Sequence, residues 1–469
     1  MKKTKIICSI GPSSAKYETF KQMVLNGMNV ARINFSHATE EEKSNVLSLV
    51  KKANEELGSY VGVLFDTKGP DFRTGNMTDD KINLVEGKTI KLVKDDILGT
   101  EEAITVNYKD ALDSIEVGNE ILLEDGLMKL EVIEKLPNGI NCKIIDGGVL
   151  GSRKSINVPG VQLNMDFISD QDREDIIYAC QHDGDFLALS FVSSKDDVLA
   201  AREILKEQGR EDMQIISKIE SHTAIQNLDE IIEASDGIMV ARGDLGVEMP
   251  MNTLPILQKE IIEKCRQKGR TVIVATEMLA SMYTSARPTR AEISDVANAV
   301  LDGTDAVMLS GETTIGKHPA DAVKYMAETC EEAESYYDYA NQKSYAKENN
   351  IPSAIAHNVV ESANLLDVKV IIAATTSGYS AKLIGTLKPK SSIVAACPDA
   401  KVAKALALNY GVFPVIVKYY NTLEELIDNC KAETTKFMDL QKGDIVIVTG
   451  GFPRMHQVKT TNFLKIDTI

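Results

Sequence analysis

The chain has 469 residues, 43% of them apolar, and 52 Lys and Arg against 69 Asp and Glu give a net charge of −17. One hydrophobic core does not hold that much chain, so two to four domains are expected. The acidic balance, with no long basic block, argues against nucleic acid as a partner, and no apolar run approaches a membrane span. The first lysines precede only five apolar positions before Gly11-Pro12, too few for a secretory leader, and the seven cysteines contain no CxxC pair. Reduced, mostly buried thiols in a cytoplasmic protein are therefore expected.

In chain order, a short apolar strand over 5–10 runs into Pro12-Ser13-Ser14. These open a helix with Phe20, Met23 and Val24 at helical spacing and Gly27 at its C-cap. A second strand over 29–36 alternates Val30 and Ile33 with Arg32 and Asn34, and places Arg32, Asn34 and Ser36 on one face ahead of an acidic helix start at Glu40 to Glu42. A third, YVGVLF over 60–65, is apolar throughout, as a strand buried on both faces should be, and ends in Asp66-Thr67-Lys68-Gly69-Pro70.

From about 71 to 165 the texture changes to short period-two stretches (81–84, 89–93, 121–133) punctuated by Asp125-Gly126, Pro137-Asn138-Gly139 and Asp146-Gly147-Gly148. They read as a small all-β insert. After Asp170 the strand and helix rhythm resumes, with strands over 186–192, 214–220, 237–241, 271–275 and 306–309. Three strands before the insert and five after make eight, which predicts a closed (β/α)8 barrel with its active site at the C-terminal ends of the strands. Arg32, Asp66, Lys218, Asp244 and Thr276 all fall there. After a charged helical stretch, a further α/β series with strands over 368–374, 392–396, 412–417 and 444–449 predicts an open, doubly wound C-terminal domain. The expected domains are thus 1–70 with 168–336, the insert 71–167, and 337–469.

The run QIISKIES at 214–221 holds the chemistry. Lys218 and Glu220, two apart in a strand, project from one face, and GIMVARGDLGVE at 237–248 brings Asp244 to the end of the adjacent strand. Two carboxylates and an ammonium form a plausible divalent-metal and anion site, since magnesium takes one or two carboxylates and completes its shell with substrate and water. Phosphoryl transfer needs such positive charge more than it needs a nucleophilic side chain. Arg32 and Arg73 add forked donors suited to phosphate, and Asn34, Ser36, Asp66 and Thr67 offer hard oxygens suited to an alkali or alkaline-earth ion.

Six stretches, TKIICSIGPSS (4–14), GMNVARINFSH (27–37), DTKGPDFRTG (66–75), SKIE (217–220), MVARGDLGVEMP (239–250) and PTRAEISDVANAVLDGTDAVMLSGET (288–313), resemble pyruvate kinase in order and from end to end. The resemblance implies transfer of phosphate from phosphoenolpyruvate to ADP, with Mg2+ and K+ as the ions. Position by position, it implies that Arg32 and Lys218 meet the transferring phosphoryl and that Lys218 is the transition-state stabiliser. Glu220 and Asp244 become the magnesium ligands, Gly243 and Thr276 the substrate contacts, and Asn34, Ser36, Asp66 and Thr67 the potassium site. Asn34, His37, Arg73 and Lys154 match nucleotide-binding positions, with Lys154 on an insert that serves as a closing lid. Ser310 and Glu312 are candidates for a proton-relay network.

The chain departs from the family pattern at Asp71 and Phe72, where Glu and Ile are usual, and at Glu277, which is expected to point away from substrate. In the C-terminal domain, Thr375, Thr376, Ser377, Gly378 and Ser380 form a candidate effector loop for a sugar phosphate or AMP, with Lys382 and Arg454 nearby, and a homotetramer is expected. Two other readings are a magnesium-dependent aldolase or lyase acting on pyruvate enolates, and a non-catalytic sugar-phosphate sensor. The first would not need the lid, and the second would be expected to have lost Lys218, Glu220 or Asp244.

Overall fold

The computed structural model describes residues 1–339, 349–418, 422–452 and 460–469. Eight parallel strands close into a barrel: β1 (Lys5–Ser9), β2 (Val30–Asn34), β3 (Gly62–Asp66), β4 (Phe186–Leu189), β5 (Gln214–Ile219), β6 (Gly237–Ala241), β7 (Thr271–Ala275) and β8 (Ala306–Leu309). Most of these strands are buried at every position because both faces are covered. Inward side chains such as Ile7, Leu64, Phe186, Met239 and Met308 fill the barrel, while Ile6, Val63, Ile215 and Val272 pack on the helices outside. The polar residues excluded from this packing collect at the strand ends, which positions the site.

Capping boxes fix where helices begin. Thr39 with Glu42, Ser169 with Asp172, Ser194 with Asp197 and Thr289 with Glu292 each exchange side-chain and backbone bonds. The first helix starts later than Pro12 to Ser14 suggested, at Tyr17, because Ser14 Oγ turns back to accept from the Gly11 amide. Its C-cap is Asn26, and Gly27 follows at φ +112, a conformation that suits glycine.

Between β3 and β4, a six-stranded sheet and a two-stranded ribbon enclose a hydrophobic cluster that runs from Phe72 to Val158. The period-two stretch over 121–133 is two strands, Glu120–Leu123 and Met128–Leu136, paired antiparallel across the tight turn that Asp125-Gly126 makes.

The C-terminal sheet orders β9 (Val370–Ala374), β10 (Ser392–Cys397), β11 (Val412–Ile416), β12 (Ile445–Gly450) and β13 (Phe463–Thr468) as β11-β10-β9-β12-β13. The first four are parallel, and β13 adds an antiparallel edge that the sequence pattern did not reveal. This domain seals the N-terminal end of the barrel: Ala407 and Leu408 join the barrel's inner cluster, and Lys388 Nζ reaches Asp305 Oδ1 at 2.7 Å. All seven cysteines are free and buried, and no helix among the described residues is long and apolar enough to cross a membrane.

Candidate active site

At the C-terminal mouth of the barrel, a cavity of about 740 Å³ is lined by Arg32, Asn34, Ser36, His37, Asp66, Thr67, Arg73, Ser190, Lys218, Glu220 and Asp244, with insert residues closing one side. Lys218 reaches in from β5. Its Nζ lies 2.8 Å from Glu220 Oε1, 3.5 Å from Asp66 Oδ1 and 2.8 Å from Ser190 Oγ. Burial alone would pull this ammonium down, but the charges of Asp66 and Glu220 outweigh it and hold the pKa above the usual lysine range. Lys218 is therefore a fixed positive charge.

The Glu220 carboxyl, 1% exposed, is pushed upward by burial and by Asp244, with Lys218 opposing. Two carboxylates facing one buried space repel, and a divalent cation relieves that repulsion, so the donor set fits magnesium shared with substrate oxygens. Among the described residues no group of three or more His, Cys, Asp or Glu gathers as a metal site.

Asp66, at the end of β3, is buried, yet Arg32 and Lys218 hold its pKa below the usual carboxylate range. Arg32 Nε donates to Asp66 Oδ2 at 2.6 Å and its Nη1 to Ser9 Oγ at 2.6 Å, which locks the guanidinium at the mouth. Asn34 Oδ1 accepts from the Ser36 amide at 3.0 Å, folding that loop so that Asn34, Ser36, Asp66 and Thr67 share one wall of the cavity. The set holds oxygen donors only, as an alkali cation prefers.

Gly243 N donates to Thr276 Oγ1 at 2.8 Å, and that hydroxyl donates to the Ala275 carbonyl at 2.6 Å. Thr276 and Glu277 both have positive φ, +68 and +55, a strained pair held by the Arg242 guanidinium on the Thr276 carbonyl. Glu277 is exposed, and like Gly243 and Thr276 it is outside the cavity lining.

Of the remaining candidates, Arg73 lines this cavity, while Lys154, Glu312 and the C-terminal loop do not. The Lys154 ammonium pairs with Glu124 at 2.6 Å, while the adjacent Arg153 lines the wall. Arg73 pairs with Asp71 and donates to the Arg153 carbonyl at 2.8 Å. Glu312 is buried with both oxygens taken by the Leu279 and Ser310 amides, an arrangement that braces the loop after β8. In the C-terminal loop Thr376 and Ser377 are exposed, but the Ser380 hydroxyl is buried against Thr461 Oγ1 at 2.6 Å. Lys382 turns to Gln214 of the barrel, and Arg454 lies outside the described residues.

A second cavity of about 510 Å³ shares Arg32, Asn34 and His37 and is walled by Ile10, Pro12, Ala15, Ala38 and Val46. Sequence reasoning missed Ser190 altogether. Its only signal was position, as a polar residue following the apolar strand FLAL.

Comparison with known proteins agrees with this geometry. Residues 1–323 match the family model "Pyruvate kinase, barrel domain" and residues 353–467 match "Pyruvate kinase, alpha/beta domain". The chain is 43% identical over 474 residues to a pyruvate kinase of Staphylococcus haemolyticus, covering 100% of this chain and 81% of that one. It is 42% identical over 473 residues to one from Geobacillus stearothermophilus, covering 100% and 80%. A crystal structure of a pyruvate kinase from Cryptosporidium parvum superposes with a TM-score of 0.94 at 39% identity, covering 100% of this chain and 96% of that one. The chain belongs to the pyruvate kinase family, phosphotransferases that act on phosphoenolpyruvate and ADP and generally need Mg2+ and K+.

Proposed function

We propose that phosphate passes from phosphoenolpyruvate to ADP at the Lys218 cavity, with Arg32 and Lys218 against the transferring phosphoryl. Lys218 stabilises the negative charge that develops on the phosphoryl and enolate oxygens, and the Gly243 amide and Thr276 hydroxyl exchange their present partners, Thr276 Oγ1 and the Ala275 carbonyl, for the substrate carboxylate. Magnesium would be held by Glu220 and Asp244 and potassium by Asn34, Ser36, Asp66 and Thr67, and each would bring further positive charge to the site. The neighbouring slot suits a nucleoside base by its size and apolar wall, with Asn34, His37 and Arg73 toward the phosphates. Lys154 is the candidate that reaches ADP when the insert, residues 71–167, closes over the cavity.

The observation that carries this reading is one fixed ammonium set between two carboxylates, Asp66 and Glu220, at the mouth of the barrel. An aldolase or sensor has no need of the oxygen-only wall beside it. The experiment is formation of pyruvate from phosphoenolpyruvate and ADP with each ion omitted in turn; activity without added divalent cation would overturn the assignment of Glu220 and Asp244.

The exposed hydroxyls of Thr376 and Ser377 and the Gly378 turn remain our candidate for a phosphate-bearing effector, with Ser380 serving to anchor the loop. Unchanged substrate dependence with fructose 1,6-bisphosphate, hexose and pentose monophosphates and AMP would remove that candidate. We further propose a cytoplasmic homotetramer, checked by fractionation and sedimentation.

A further inference from the structure

Ser190, at the C-terminal end of β4, is 3% exposed, and three groups of the cavity meet its hydroxyl. Lys218 Nζ donates to Oγ at 2.8 Å, while Oγ lies 2.7 Å from the Thr67 carbonyl oxygen and 3.2 Å from Asp66 Oδ1. A hydroxyl has one proton, so it serves Thr67 or Asp66 at a given moment, while the ammonium occupies one of its lone pairs. The next residue, Phe191, has φ +56 and donates its amide to Glu220 Oε2 at 2.6 Å. The turn itself is pinned. Ser190 N donates to Thr67 Oγ1 at 3.3 Å, and a Cβ on Gly69 would lie 2.7 Å from the Ser190 carbonyl oxygen, so only glycine lets the 66–70 loop lie so close. Two consecutive residues thus touch the oxygens assigned to the monovalent cation and the carboxylate assigned to the divalent one.

We propose that Ser190 is a positioning residue that couples the two cation sites through Lys218. The inference rests on the proposed monovalent and divalent sites. A cation on Asp66 and Thr67 repels the Lys218 ammonium, which stands 3.5 Å from Asp66 Oδ1. Ser190, its proton turned to the Thr67 carbonyl, keeps a lone pair for that ammonium and holds it at the phosphoryl position. Without the hydroxyl, the displaced ammonium has only Glu220 left to pair with, where it opposes a divalent cation.

The test measures Mn2+ binding without turnover, from the electron paramagnetic resonance signal of free Mn2+. Phosphoenolpyruvate is present, ADP is omitted, and K+ buffer is compared with tetramethylammonium buffer. In the unmodified protein K+ should tighten Mn2+ binding by roughly fivefold or more, the usual scale of site coupling. Ser190→Ala should reduce that factor below about twofold, and Ser190→Thr, which keeps the hydroxyl, should restore it. Full coupling in a natively folded Ser190→Ala overturns the proposal. If that variant does not fold, Ser190→Cys, similar in size but a weak donor, takes its place, and undiminished coupling there is equally fatal. Mn2+ binding that ignores K+ in the unmodified protein refutes any coupling between the two cation sites, and the proposal falls with it.

Discussion

Lys218→Met removes the one cation that separates Asp66 from Glu220, and its two consequences are separable. Turnover should fall by a factor of about 10² to 10³ or more, because the charge is needed most as the transition state develops, while phosphoenolpyruvate binding persists through Arg32. Stability should fall by about 3 kcal/mol at neutral pH, since buried Glu220 loses its cation while Asp66 keeps Arg32. Turnover near that of the parent in a folded variant would contradict the role. Asp71 presents a different question, because a carboxylate here leaves the positive charge near the phosphates to a bound cation, where a lysine would supply it directly. Its side chain is largely buried and pairs with Arg73. Asp71→Lys should therefore both release Arg73 and supply the charge that a bound cation otherwise brings, making activity much less dependent on K+. An equally K+-dependent variant would show that Asp71 is not the determinant.

At the scale of elements, the C-terminal end of β7 is where the fold holds strain. Thr276 and Glu277 sit consecutively in the left-handed region, at a cost of roughly 1 to 2 kcal/mol each for residues with a Cβ. Glu277 is exposed and its side chain has no part in the cavity, so Glu277→Gly should stabilise the protein by about 1 kcal/mol and leave phosphoenolpyruvate kinetics intact. Denaturant melts check the first and initial rates the second; a destabilised variant would mean that the surrounding loop, rather than local backbone preference, dictates the turn. Thr276→Gly would gain the same relief but lose the hydroxyl that accepts from Gly243, so its kinetics should suffer.

For the whole molecule, the joint between the barrel and the C-terminal domain is built on buried lysines. Lys5 donates to the Val412 carbonyl at 2.6 Å and its ammonium lies over the Phe413 ring; burial, and then the nearby Lys2, lower its pKa to about 7. Burial lowers Lys388 to about 8 despite Asp305. The ordinary lysine value is 10.5, so between the folded value and that one the unfolded chain binds more protons. Stability from these two groups consequently rises with pH from about 7 toward 10.5. Lys5→Met removes its share, so its stability relative to the parent should be greatest near pH 7 and decline toward pH 10. Urea melts at the two pH values measure this, and a difference that does not change with pH would show that Lys5 does not titrate in that window.

The sequence by itself determined the barrel, the all-β insert, the doubly wound domain and the convergence of Arg32, Asp66, Lys218, Glu220 and Asp244 on one cavity. It could do so because burial on both faces writes an apolar run for each strand and leaves the polar residues at its end, where the closed barrel gathers them. Tertiary structure alone decided what lacks a local signal. Ser190 reads as a turn residue until Asp66 and Thr67, more than 120 positions earlier, and Lys218 are brought to its hydroxyl. Lys3 and Lys5 look like solubilising charges at the start of the chain, yet docking of the C-terminal domain buries both. The placement of β13 as an antiparallel edge depends on a free partner on β12, and the left-handed backbone of Phe191, Thr276 and Glu277 is imposed by neighbours that no single-residue preference announces. Local periodicity encodes which face is buried; only closure of the fold settles which distant groups share a hydrogen bond.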